Sequence, residues 1–387
     1  MHVRHSLRGA AAIVFFSSLL LASCRRGGRA ASVETGQQAS LAGMRYVRNI
    51  PNTYARMFSV DEYEGGYRLI TVDGTMRYLL VPEHSSVPEA LPPDITVLQQ
   101  PLDSIYLASS PVMALMCRIG ALSRIKFSST EADKWYIREA AEAMRSGALQ
   151  YAGKYDSPDF ELLLGGGVDV AVESSMIFHK PQVQKKLESL GIPVFVDESS
   201  YEEHPLGRVE WVRLYGLLMG NESFADSFFD SQVKRIAPLE QEAALGKTVA
   251  FFYMNSDGMA VVRGADDYIA RMIGIAGASY VCAEMPESKS GSSTVQLSME
   301  EFYGAACQAD YLIYNVTIDK SVRNLEDLLA KSPLFADFEA VKQNHVWAAK
   351  NYLYQGTDNL AAFIVELRQL MEGEVADDDM LFLEHLE

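Results

Sequence analysis

Three consecutive glycines, Gly165, Gly166 and Gly167, stand in the run YAGKYDSPDFELLLGGGVDVAV over residues 151–172. Glycine runs cradle phosphates when they follow a strand and open a helix, because backbone N–H groups then point at the anion. Here the order is reversed. A helical pattern comes first, with Ser157 as N-cap and Pro158 at N1, and the strand VDVAV follows. The glycines therefore read as a helix stop that admits left-handed backbone angles, and they bind nothing. Other reactive constellations are missing from the sequence. No G-x-S-x-G elbow, Walker A run, H-E-x-x-H pair or kinase set occurs, so an enzyme reading has no recognisable machinery. His84, His179, His204, His345 and His385 are scattered rather than gathered as zinc or manganese ligands would be. Cys117, Cys282 and Cys307 lack C-x-x-C spacing; the first sits in an apolar helical pattern, and the other two could pair in an oxidising compartment.

Composition narrows the classes further. The chain has 387 residues, enough for two lobes with separate cores. Its formal net charge of −17 argues against nucleic acid or an anionic membrane surface as the main partner. Arg4 and Arg8 precede an apolar run over residues 10–21, which falls short of the ~20 residues a spanning helix needs. It ends in Leu21-Ala22-Ser23-Cys24, which resembles the lipobox of bacterial lipoproteins. Residues 1–23 read as a signal peptide, Cys24 as the lipidated residue, and 24–43 as a polar, small-residue tether. A lipid-anchored place in the cell envelope, most simply at the periplasmic face, follows.

The elements that would position a site come next. Residues 44–100 read as short strands and turns in an antiparallel opening section. From Asp103 strands and helices alternate: DSIYLA, a helix with Ser110 as N-cap and Pro111 at N1, LSRIKF, VDVAV and IPVFVD. Continuous apolar strands separated by helices imply a mostly parallel sheet covered on both faces. Residues 205–244 have helical periodicity, interrupted only by Gly207, Gly216 and Gly220, and read as a bridge. A second βα series covers 245–373, and 374–387 reads as a peripheral acidic tail. The expected fold is thus α/β. Two lobes with mostly parallel sheets, the first over 44–204, are joined by a long bridging helix, with a ligand cleft between them. Loops after the strands present Ser109, Ser110, Phe127, Glu173 and Ser174 to that cleft, with Tyr151, Lys154 and Tyr155 ahead of the Asp-Ser-Pro turn. From the second lobe come Tyr253, Asn255, Arg263 and Asn315. Turn formation is the alternative role for each.

The order of these pieces resembles the substrate-binding proteins of ABC importers that handle iron–siderophore complexes, haem and vitamin B12. It rests on DSIYLASSPVMALMCRIGAL, the 151–172 run and LGIPVFVDESSYEEHPLGRVEWVRLYGLLMG, and in the second half on LSMEEFYGAACQADYLIYN and SPLFADFEAVKQNHVWAA. The resemblance implies capture of an iron chelate, siderophore or haem, and delivery to a permease dimer with its ATPase. It implies no resident cofactor, the chelate or a corrinoid being the cargo. Cobalamin binding is the alternative, and a zinc or manganese carrier a more distant one. It also implies that Glu161, in D-F-E-L-L, and Glu300, in S-M-E-E-F, dock to permease arginines, with Glu301 as an alternative to Glu300. Its H-P-L-x-R run falls on His204, Pro205, Leu206 and Arg208, which equally suit a helix start.

Overall fold

The computed structural model describes residues 41–284, 294–374 and 380–387. The signal segment, Cys24 and most of the tether lie outside them.

Residues Tyr46–Ile50, Phe58–Tyr63, Arg68–Val72 and Met76–Val81 form an antiparallel meander. Ile95–Gln99 adds to it in parallel, which corrects the all-antiparallel expectation. Strand alternation gives the sheet two apolar faces. Val60, Ile70, Tyr78 and Leu98 enter the main core, while Tyr63, Leu69, Leu79 and Ile95 form a smaller one. The sheet is fastened to the bridge through buried carboxylates. Glu210 accepts the backbone N–H groups of Thr53, Tyr54 and Ala55 at 2.7, 2.7 and 2.8 Å. Glu202 accepts those of Arg56 and Met57 at 2.8 and 2.9 Å, and the Trp211 indole at 2.9 Å.

The first lobe carries a wholly parallel sheet. Its order is Val194–Asp197, Val170–Ser174, Ile105–Leu107, Ile125–Ser128 and Gln150–Tyr151. In the second lobe Lys247–Met254 pairs in parallel with Ala278–Tyr280 and Tyr311–Tyr314, and the latter with Val346–Ala349. Antiparallel strands Ala260–Arg263 and Thr294–Leu297 extend one side, and Leu383–His385 the other. The fold is α/β, with two lobes built on parallel strands, to which the second lobe adds antiparallel ones at its sheet edges.

Local details depart from the sequence expectations at four places. The helix Ser110–Arg118 is preceded by Ser109, so Ser110 is its first residue rather than its cap. Ser157–Pro158 pairs with Gly153–Lys154 as a small hairpin, and the helix begins only at Phe160. Its cap is Asp159, whose carboxylate accepts the Leu162 N–H at 3.0 Å, a stronger acceptor for an orphan helix donor than Ser157. The bridge is two helices, Pro205–Met219 and Glu222–Ile236. Gly220, at φ 69°, ends the first in the left-handed region, and the chain folds back. Gly216 makes the close packing possible, since a Cβ there would overlap the Ala225 methyl. Finally, the acidic tail is not peripheral. Phe382 and Leu383 are fully buried, and Glu366 accepts the N–H groups of Leu381, Phe382 and Leu383 at 2.6, 2.9 and 3.1 Å.

The glycine run closes its helix as expected, with Gly167 at φ 60°. Gly166 also makes room for a neighbour, because a Cβ there would fall on the Phe127 ring.

Candidate functional site

The loops at the carboxyl ends of the parallel strands form the candidate site, as open α/β sheets favour. Loops from the two lobes meet directly. Gln355, beyond Val346–Ala349, accepts the Tyr136 N–H through Oε1 at 2.8 Å and donates through Nε2 to the Lys134 carbonyl at 2.9 Å. Lys134 and Tyr136 follow the first-lobe strand Ile125–Ser128. Arg118, at the end of the helix Ser110–Arg118, pairs with the buried Asp358 at 2.5 Å.

Several expected cleft residues have other duties. Phe127 is buried in a core with Tyr106 and Leu163, because it lies within its strand on a covered face. Ser109 is buried, its Oγ 3.4 Å from Asp197, which also accepts Ser199 Oγ and Tyr215 OH, both at 2.6 Å. Asn255 shapes the hairpin: its Oδ1 accepts the N–H groups of Asp257 and Met259, both at 3.0 Å. Asn315 is buried beneath the cleft and donates to Tyr354 OH at 2.8 Å, while its Oδ1 accepts Thr317 Oγ1 at 2.6 Å. Arg263 Nη2 donates to the same phenol at 2.5 Å. Tyr354 is thus a hub that strand-end reasoning overlooked, because it lies several residues past its strand. Tyr151, Ser174 and Tyr253, at the carboxyl ends of their strands, are half-buried, as are Ser110 in the first turn of its helix and Tyr155, while Lys154 is exposed in the small hairpin.

Glu173 is fully buried, and neither carboxylate oxygen has a hydrogen-bond partner. Burial pushes its pKa up to about 8. His204 serves the helix start. Its Nδ1 accepts the Leu206 N–H at 3.1 Å and its ring stacks on Tyr54, with centroids 4.7 Å apart.

Exposed apolar side chains mark the rim, and sequence reasoning missed most of them. Tyr136, Met176, Phe178 and Tyr201 in the first lobe and Ile318 in the second are 43–57% exposed. Each follows the carboxyl end of a parallel strand. The available signal was the cluster SSMIF directly after VDVAVE, where a polar turn would ordinarily stand.

Glu161 and Glu300 are both exposed in the first turns of their helices, Phe160–Gly165 and Met299–Ala306. Glu301 is committed to a capping box, accepting the Ser298 N–H at 2.8 Å, so Glu300 is the carboxylate left outward. Cys117, Cys282 and Cys307 are free thiols. Among the described residues no group of three or more His, Cys, Asp or Glu is placed to hold a metal ion.

The chain is similar to known proteins in fold and, more weakly, in sequence. A periplasmic haem-binding protein of Vibrio cholerae superposes with a TM-score of 0.56 at 21% identity, covering 69% of this chain and 98% of that one. A periplasmic haem-binding protein of Pseudomonas aeruginosa gives 0.56 at 15% identity, covering 74% and 98%. A periplasmic vitamin B12-binding protein of Vibrio cholerae gives 0.50 at 14% identity, covering 71% and 98%. An uncharacterised lipoprotein of Methanocaldococcus jannaschii is 24% identical over 328 residues, 79% of this chain and 75% of the relative. The family described as periplasmic binding protein matches residues 126–353, more than half of the sequence, and the chain belongs to that family.

Proposed function

We propose that the protein is a lipid-anchored substrate-binding protein of an ABC importer that captures an iron chelate, siderophore or haem, between its lobes. The observation that carries this reading is the apolar rim: Tyr136, Met176, Phe178, Tyr201 and Ile318 stand exposed on strand-end loops. Exposed aromatic and thioether groups on strand-end loops favour a large, flat, partly apolar ligand over a bare ion. Tyr151, Lys154, Tyr155, Ser110, Ser174, Tyr253 and Arg263 supply polar contacts around it. No chemical step is required, only binding and release. Cys24 carries the lipid that holds the protein at the cell envelope, and Glu161 and Glu300 are the contacts offered to the permease.

Trp135, buried next to the exposed Tyr136, offers an intrinsic fluorescence probe for the titration. A titration of the full chain with a ferric hydroxamate, a ferric catecholate, haemin and cyanocobalamin should give a dissociation constant below ~10 µM for at least one iron chelate. Saturation by cyanocobalamin alone would replace the iron chelate with a corrinoid as cargo. Failure of all four would sink the reading.

A further inference from the structure

Two of the three glycines at 165–167 have internal reasons. Gly167 ends its helix in the left-handed region, and Gly166 clears the Phe127 ring. Gly165 has neither reason. It is the last residue of the helix Phe160–Gly165, without a left-handed φ; it is exposed, and a Cβ there would meet nothing within 4 Å. Gly304, inside the helix Met299–Ala306 of the second lobe, is likewise exposed, free of a left-handed φ and open around its Cα. Glycine weakens a helix relative to alanine, so both positions carry a cost that nothing inside the fold offsets.

The surroundings of the two glycines match. Counted from the cap, Asp159 or Ser298, the second residue is Glu161 or Glu300, the fifth Leu164 or Tyr303, and the sixth the glycine. Each helix leads into a strand that runs between two parallel neighbours, Val170–Ser174 in one lobe and Tyr311–Tyr314 in the other. An aspartate just before that strand, Asp169 or Asp310, accepts a backbone N–H at the start of the adjoining strand, from Ser104 or Thr248, at 2.8 Å in both lobes. The two helices are therefore equivalent parts of the two lobes. Residues at i, i+3 and i+4 share one face of a helix, so each carboxylate stands beside an apolar side chain and a patch of bare backbone. Leu164 is 54% exposed, and Tyr303 is half-buried with its ring edge-on to Phe338. Among the described residues neither Glu161 nor Glu300 has a hydrogen-bond or ion-pair partner.

We propose that Leu164 with Gly165, and Tyr303 with Gly304, complete a docking unit repeated on the two lobes, and that a permease dimer seats one subunit on each. The proposal rests on the importer reading above and extends its contacts beyond the two carboxylates. A free carboxylate on a chain of net charge −17 suits a guanidinium, and an exposed leucine suits an apolar pocket. The missing Cβ lets the partner's main chain come close to the helix. A unit present once per lobe suits a partner that offers one surface twice, as a two-fold dimer does.

Bulk placed on the glycines tests this in the full chain, in cells whose own copy of the gene is replaced. Uptake of radiolabelled iron from haemin and from a ferric catecholate is measured beside binding of the same two probes by the purified protein. The double variant Gly165→Gln, Gly304→Gln should unfold no earlier than the wild type, since glutamine favours a helix over glycine and both sites are open. It should bind both probes within ~2-fold of the wild type and cut uptake ~10-fold or more, with Gly165→Ala, Gly304→Ala in between. Gly274, in Tyr268–Ile275, is also an exposed helical glycine with open space, but Ala270 stands four residues before it in place of a carboxylate. Gly274→Gln should leave uptake unchanged. Normal uptake by the double glutamine variant, with uptake lost in Glu161→Lys, Glu300→Lys, would overturn the inference and leave the carboxylate contacts standing. Uptake lost equally in Gly274→Gln would overturn it too, because the effect would not belong to the docking faces. Normal uptake in both double variants would remove the docking role as a whole. Absence of wild-type uptake from either probe would remove the importer reading and this inference together.

Discussion

Glu173 is the residue whose environment is least compatible with charge. It is sealed at the end of the strand Val170–Ser174 with no donor to either oxygen. Its folded pKa of about 8 lies above the unfolded carboxylate value, so the folded state holds a proton that the unfolded state has lost. Stability from this group is therefore full below the unfolded pKa and falls as pH rises through 8. Glu173→Gln should stabilise the protein at pH 8 by on the order of 1–3 kcal/mol and change little at pH 4, measured by urea denaturation. An equal effect at both pH values would mean that the carboxyl is not the titrating group. The sequence placed Glu173 at a strand end but not its depth, since strand alternation names a face and says nothing of what covers it. Tyr354 and the rim residues Met176 and Phe178 were hidden for a related reason: they sit in helical segments of four or five residues, too short for periodicity to register.

At the scale of elements, the helix Pro205–Met219 both links the lobes and clamps the opening sheet. Glu210 on this helix satisfies three backbone N–H groups that no strand partner takes. Removing it leaves three donors unpaired, that of Ala55 buried and those of Thr53 and Tyr54 part-buried, and a fully buried one costs about 1–3 kcal/mol. Glu210→Ala should thus destabilise by ~2 kcal/mol or more, with the first losses of amide-exchange protection at Thr53, Tyr54 and Ala55. Uniform loss of protection across both lobes would show that the clamp is not local. Strand and helix order was legible because apolar runs and breakers alternate clearly. The fold-back at Gly220 was less so, since a glycine in a helical pattern is as compatible with a tolerated weak point as with a stop. The final strand was masked by its acidic approach: Met380, Phe382 and Leu383 carry the burial, but the preceding acids dominate the composition.

For the whole molecule, the candidate contacts with a permease are two exposed carboxylates, one on each lobe. One contact per lobe fixes orientation as well as adding attraction, because carboxylate–guanidinium pairing is directional. The double variant Glu161→Lys, Glu300→Lys should keep ligand affinity within ~2-fold and lose uptake in cells, since the reversals repel arginine without touching the cleft. Normal uptake would remove the docking role. Two-lobed architecture was the most legible level, because it depends on the order of many weak signals rather than on any one residue.

The bond between the lobes has a consequence of another kind. Gln355 grips main-chain atoms of residues 134 and 136, not their side chains. Substitutions in that rim loop can therefore alter what the cleft accepts while the two halves stay joined by the same pair of bonds. Cargo choice and mechanical linkage are separable traits in this chain, which makes the loop around Tyr136 a natural place to retune selectivity by mutation.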